Sequence, residues 1–171
     1  MCNQPDFLPP MINMDGSYEE IIERLYAVFC KDFIEDKAKH LGRNVAFNGV
    51  INEFSQGKVE GFWHVITRDN SSKANRLIDY LRAERLPWSK PLMENPYHKE
   101  IKFFFYHEGS SRKGIRHYIW LEDYKYVVIL QRKKSHFIWV TSFYVEEWKQ
   151  KDIRRKFKER IVPLKKQQPD L

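Results

Sequence analysis

His64 lies in the run Gly61-Phe62-Trp63-His64-Val65-Ile66 and is the only polar side chain in it. An imidazole in an apolar setting is either a core histidine satisfied by a backbone carbonyl or an acid/base group tuned toward neutrality. Arg82 and Arg85 stand three residues apart in a segment with helix signals, so they are expected on one helix face. Two adjacent guanidinium groups repel unless an anion or carboxylate lies between them. A phosphate suits such a pair because each guanidinium offers planar, bidentate donors. Thr141, Ser142 and Tyr144 close the last apolar strand-like run, where hydroxyls at a sheet end can hold a phosphate. Thr and Tyr are also ordinary strand formers. Alternation along a strand puts Thr141 and Tyr144 on opposite faces unless the chain bends at Phe143.

The elements that must carry these residues follow from periodicity. Ser17-Tyr18-Glu19-Glu20 reads as a capping box, and Ile21, Ile22, Leu25, Val28, Phe29 and Phe33 follow at helical spacing. This predicts a helix from residue 17 to about 38, with Gly42 as a stop. Residues 43 to 60 are ambiguous between strand and loop. A second helix is expected over about 72–86, capped from Asn70, Ser71 or Ser72 and ended at Pro87. The second half changes period. Segments 102–106, 118–121, 126–131 and 137–143 are rich in aromatic and β-branched residues. The connections between them are too short for crossover helices, so an antiparallel meander is expected. A last helix opens at Glu146 and Glu147 with Ile153, Phe157 and Ile161 as its apolar stripe.

The expected class is therefore α+β: N-terminal helices, a four-stranded antiparallel β-meander and a C-terminal basic helix. Residues 1–16 read as an irregular N-terminal segment, 17–162 as a single domain and 163–171 as a tail. Alternate meander loops share a sheet end. Arg112 and Lys113 should therefore lie beside Arg132, Lys133 and Lys134, forming a basic rim that binds substrate.

Composition limits the partners. The 171 residues carry 30 Lys and Arg against 23 Asp and Glu, a net charge of +7. Nine of the basic residues and only three of the acidic ones fall between 149 and 171. A concentrated basic segment attracts phosphate backbones or simply solvates a helix face. With 42% hydrophobic residues, 7 Gly and 8 Pro, the chain is neither disordered nor collagen-like. No apolar run approaches the ~20 residues of a membrane span, and the N-terminus lacks a signal-peptide pattern, so a cytoplasmic location with no membrane partner is expected. Two cysteines, Cys2 and Cys30, form no disulfide framework and no zinc spacing. There is no Walker loop, no GxGxxG, no HExxH and no GxSxG. No metal and no cofactor is expected.

The segment Gly61–Arg68, the arginines Arg76, Arg82 and Arg85, the following Leu86-Pro87-Trp88 and the stretch Lys90–Asn95 succeed one another in a recognisable order. They lead to a strand meander closing on Thr141-Ser142-Phe143-Tyr144 and a basic helix. This order resembles the phage or mobile-element branch of the barnase–EndoU–colicin–RelE-like ribonuclease superfamily, over roughly residues 40–160. The resemblance implies metal-independent RNA cleavage by attack of the 2′-OH, leaving a 2′,3′-cyclic phosphate. It implies His64, Arg82, Arg85 and Thr141 as catalytic groups, with Tyr144 in substrate binding, and RNA as partner. A toxin of this kind would also meet an immunity or antitoxin protein. The basic tail and aromatic-rich sheet also suit a non-catalytic nucleic-acid-binding module, or a protein-binding adaptor.

Overall fold

The computed structural model describes residues 4–68, 72–109 and 113–162. The chain is α+β: a first helix, a short hairpin, a set of short helices, four strands, and one further helix on the sheet's other face. Helix α1 (Tyr18–Phe29) starts at the expected capping box: Ser17 accepts from the Glu20 amide and Glu20 returns a bond to the Ser17 amide. It does not run to residue 38. It widens into a π-helical turn over Cys30–Glu35, which brings Phe33 into the core, and ends at Asp36. Gly42 is not its stop. Leu41 and Gly42, both with positive φ, form the two-residue turn between β1 (Lys39–His40) and β2 (Arg43–Ala46). Positive φ at both central positions matches the strand twist of such hairpins, and glycine takes it without strain.

Among the described residues the sheet has six strands, not four, and it is mixed. Strands β3 (Lys102–His107), β4 (Ile115–Leu121), β5 (Tyr126–Arg132) and β6 (Phe137–Tyr144) run antiparallel in succession. The hairpin β1–β2 extends them, with β2 parallel to β6, giving the order β1-β2-β6-β5-β4-β3. The parallel contact covers only Val45↔Phe137 and Ala46↔Ile138. Past that point the outer edge of β6 is free for another element.

Helix α2 (Glu60–Ile66) takes the place beside that edge. The second expected helix does not form over 72–86. Thr67 bridges Ile78, the Arg68 amide donates to Leu77 and the Asp79 amide to Ile66. Residues 66–68 thus pair with 77–79, and among the described residues of the expected span the α-helical part is α3 (Tyr80–Ala83), capped by Asp79. Backbone pairing to α2 overrides the local helix preference. A 3₁₀ turn (Leu86–Trp88) and α4 (Ser89–Glu94) complete the helical layer.

That layer buries Leu25, Phe29, Phe33, Phe62, Trp63, Trp88 and Leu92 against Ile119, Leu121, Tyr126, Val128, Leu130, Phe137 and Trp139 on the first face of the sheet. Helix α5 (Glu147–Lys158) packs Ile153 onto Phe104, Tyr118, Trp120, Val127 and Ile129 of the second face. One helix cannot cover that face. A strip across five strands, Ala46, Ile138, Gln131, Arg116 and Tyr106 in register, stays half-buried.

Candidate active site

The groove lies where α2 meets the uncovered strip. Its local geometry starts with Gly61. The Gly61 amide donates to Asn48 O at 2.7 Å, and a Cβ at this position would sit 3.0 Å from both Asn48 O and the Phe47 ring. Only glycine lets the first turn of α2 approach the chain leaving β2 this closely. The preceding residue anchors the helix start. Glu60 Oε1 accepts from Ser55 Oγ at 2.5 Å, Asn52 Nδ2 at 3.0 Å and Arg76 Nη2 at 2.6 Å. Arg76 lies 4.7 Å over the Trp63 ring, whose Nε1 donates to Ser55 O. Burial pushes the Glu60 carboxyl up, but the Ser55 and Arg76 hydrogen bonds and the Arg76 charge outweigh it and hold it below the usual range. It is a fixed anion, not a proton donor at neutral pH.

At the far end of α2, Arg82 closes the helix. Its Nη1 donates to Thr67 O at 2.9 Å and His64 O at 3.3 Å, satisfying carbonyls that a helix C-terminus leaves open. Arg82 is buried.

His64 is exposed, contrary to the expectation of an apolar enclosure, because the other six residues of α2 are buried and it alone faces out. Its Nε2 lies 2.8 Å from Val140 O on the free edge of β6. A carbonyl only accepts, so Nε2 carries the proton and Nδ1 is the basic nitrogen of the neutral ring. His64 lines a groove of about 490 Å³ together with Glu60, Lys73, Arg116, Gln131 and Val140. Arg116 Nη1 donates to Gln131 Oε1 at 3.0 Å, and Gln131 Nε2 donates to Lys113 O at 3.1 Å. The guanidinium is thereby held by the neighbouring strand and by the β3–β4 connection. Partial burial lowers the Arg116 pKa, against the raising effect of Glu108 and Tyr118. It stays charged, and an anion in the groove would offset that burial.

The other expected residues separate. Arg82 and Arg85 do not share an exposed face. Arg82 is occupied by α2, and Arg85, past the end of α3, donates to Leu81 O and pairs with Glu84. Its guanidinium lies 4.9 Å over the Tyr144 ring and 5.4 Å over that of Trp88, in a hollow of about 400 Å³ on the opposite side of the sheet. The register sets Tyr144 opposite Tyr126 on the first face and Thr141 opposite Ile129 on the second, so alternation does separate them. Thr141 shares its face with Gln131 and Arg116 and follows Val140, whose carbonyl holds His64.

Lys113, Arg132, Lys133 and Lys134 come to one end of the sheet, joined there by Arg43, whose Nη1 donates to Lys134 O. Arg112 lies outside the described residues. The C-terminal helix is less available than its composition suggests. Arg154 pairs with Glu122, Arg155 with Asp152 and Glu159, and Lys156 with Glu108 and Asp152. Lys165 and Lys166 lie outside the described residues.

Sequence reasoning missed Lys73, Arg116 and Gln131. Their signal was there for Arg116 and Gln131: each is a polar residue on the otherwise apolar second-face alternation of its strand. Among the described residues, no group of three or more His, Cys, Asp or Glu side chains is placed to hold a metal ion, and no helix is long and apolar enough to cross a membrane. No family model, no curated protein and no solved structure matches this chain.

Proposed function

We propose that the protein is a metal-independent endoribonuclease whose centre is the His64 groove. The observation that carries this reading is the convergence of one imidazole with two cations, Lys73 and Arg116, around a groove open on the sheet's second face. His64 Nδ1 takes the proton from an RNA 2′-OH as that oxygen attacks the adjacent phosphorus. Arg116 and Lys73 stabilise the charge that builds on the phosphoryl oxygens. The 5′-oxygen leaves and takes a proton from the Lys73 ammonium, giving a 2′,3′-cyclic phosphate and a 5′-OH. Gln131 orients Arg116, and Glu60 holds the start of α2. Arg82 acts on the site only through α2, and Arg85 belongs to the other side of the sheet.

The basic sheet end with Lys113, Arg132, Lys133 and Lys134 gives the RNA backbone a path to the groove. The same rim would serve a non-catalytic nucleic-acid-binding module, in which His64 would be dispensable.

The test is incubation of total RNA with the protein in EDTA, beside His64→Ala and Arg116→Ala, followed by mapping of new ends. Cleavage leaving cyclic phosphates and lost in both variants supports the reading. RNA bound but never cut leaves the binding module, and cleavage unchanged in both variants moves the site elsewhere.

A further inference from the structure

A second feature of the sheet's open face is an aromatic cluster at the start of α5. Trp148 is 70% exposed, far more than an indole gains by. Its Nε1 donates to the Glu146 carboxylate. Lys149 Nζ lies 4.9 Å from the centroid of the Trp148 ring and 4.9 Å from that of Phe143. Two hollows, of about 560 and 490 Å³, meet at these three residues. Tyr80, 50% exposed, lines the larger one.

Charge separates this patch from an ordinary apolar surface. The carboxylates around it are occupied. Glu146 takes the indole N–H, Asp79 caps α3, Glu108 takes Tyr118 and Lys156, and Asp152 takes Arg155 and Lys156. Lys149 has no carboxylate partner among the described residues and rests on ring faces instead. An exposed indole beside an ammonium with no carboxylate partner suits a ligand with flat π-faces and a repeated negative charge. Single-stranded RNA has both. Position supports the same ligand. Phe143 and Thr141 point to the same face, and Phe143 is three residues along β6 from Val140, whose carbonyl holds His64. That spacing is ~10 Å along the strand, a reach of a short stretch of RNA.

We propose that Trp148, with Phe143 and Lys149, forms a base-stacking subsite for single-stranded RNA next to the His64 groove. The inference rests on the ribonuclease reading for the identity of the strand, not for the stacking itself. Stacking is sequence-tolerant, so the subsite would place the strand rather than select a base.

The experiment measures binding of a fluorescein-labelled single-stranded RNA oligonucleotide to the His64→Ala protein, in which the strand should persist. Adding Trp148→Ala should weaken binding ~10-fold or more, the usual worth of one stacked base. Trp148→Phe should restore most of the loss, and Tyr97→Ala, at an exposed ring elsewhere, should change nothing. Trp148 is exposed, so its removal leaves the core intact, and circular dichroism checks it. Equal affinity with and without the indole overturns the subsite, as does an absence of binding by the parent. The two readings fail separately. Uncut RNA with indole-dependent binding removes the nuclease and keeps the subsite. Cut RNA with indole-independent binding does the reverse.

Discussion

The imidazole of His64 and the carbonyl of Val140 meet at 2.8 Å across the edge that β6 leaves unpaired once β2 ends at Ala46. One bond therefore ties the candidate base to the sheet that carries Arg116 and Gln131. A strand edge normally offers its carbonyls to another strand or to water. Here a side chain takes one, and the choice sets which ring nitrogen is basic.

His64→Ala should lower RNA cleavage by ~10²-fold or more while leaving the thermal midpoint close to that of the parent, since the side chain is exposed. His64→Gln should be equally inactive, because an amide can keep a bond to Val140 without supplying a base. Cleavage assays in EDTA beside thermal melts distinguish loss of chemistry from loss of fold.

Arg82→Ala should behave differently. It strips the donor from the Thr67 and His64 carbonyls at the end of α2. Each buried carbonyl left without a partner costs ~1–3 kcal/mol, so urea denaturation should show a large loss of stability. Any loss of cleavage should follow the melting of α2. A variant with parental stability and no activity would return Arg82 to the chemistry.

Gly61→Ala places a Cβ against Asn48 O and the Phe47 ring at 3.0 Å. The backbone oxygen cannot rotate away, so α2 must shift and carry His64 with it. The expected cost is ~1–3 kcal/mol of overpacking, and cleavage should fall with it. Unchanged stability and cleavage would show that the first turn of α2 has room to spare.

Buried His40, hydrogen-bonded to His117, should make the fold acid-sensitive. His40 Nδ1 bonds Met93 O at 2.8 Å and Nε2 bonds His117 Nδ1 at 3.0 Å, with Phe103 and Phe137 edge-on to the ring. Burial pushes His40 down to about 4, against the raising effect of the Met93 bond. The unfolded chain takes up its proton near 6.5, before the folded chain does. Stability from this group is therefore full above about pH 6.5 and is lost as the pH falls toward 4, by up to ~3 kcal/mol. Urea midpoints across that window should fall. In His40→Gln the curve should start lower at neutral pH and fall less steeply.

Lys133→Glu with Lys134→Glu should weaken RNA binding and flatten its salt dependence, by roughly one unit of slope per phosphate contact removed. Charge reversal at Arg154 and Arg155 should act mainly on stability, since both are paired within the chain. Salt titrations of binding to the two double variants decide which basic surface meets the strand.

The amino-acid pattern by itself determined the α+β class, the capping box at Ser17, the four strands between Lys102 and Tyr144 and the start of the last helix, because these rest on local periodicity and capping chemistry; that helix ends at Lys158, and Ile161, expected on its stripe, bridges Phe105 instead. Alternation put Thr141 and Tyr144 on opposite faces unless the chain bent at Phe143, and the register shows that it does not bend there. Three things were decided only in the tertiary structure. The parallel seat of β2 on β6 joins residues about ninety apart, and nothing local announces it. The segment before α3 turned back on α2 because backbone bonds to Ile66 and Arg68 outweigh helix propensity there. The grouping of His64 with Lys73, Arg116 and Gln131 depends on cross-strand register and on which strip of the sheet α5 leaves open. Spacing along a chain places a residue on a face. Which faces meet is settled by long-range packing, where burial of the large aromatic side chains outweighs local preference.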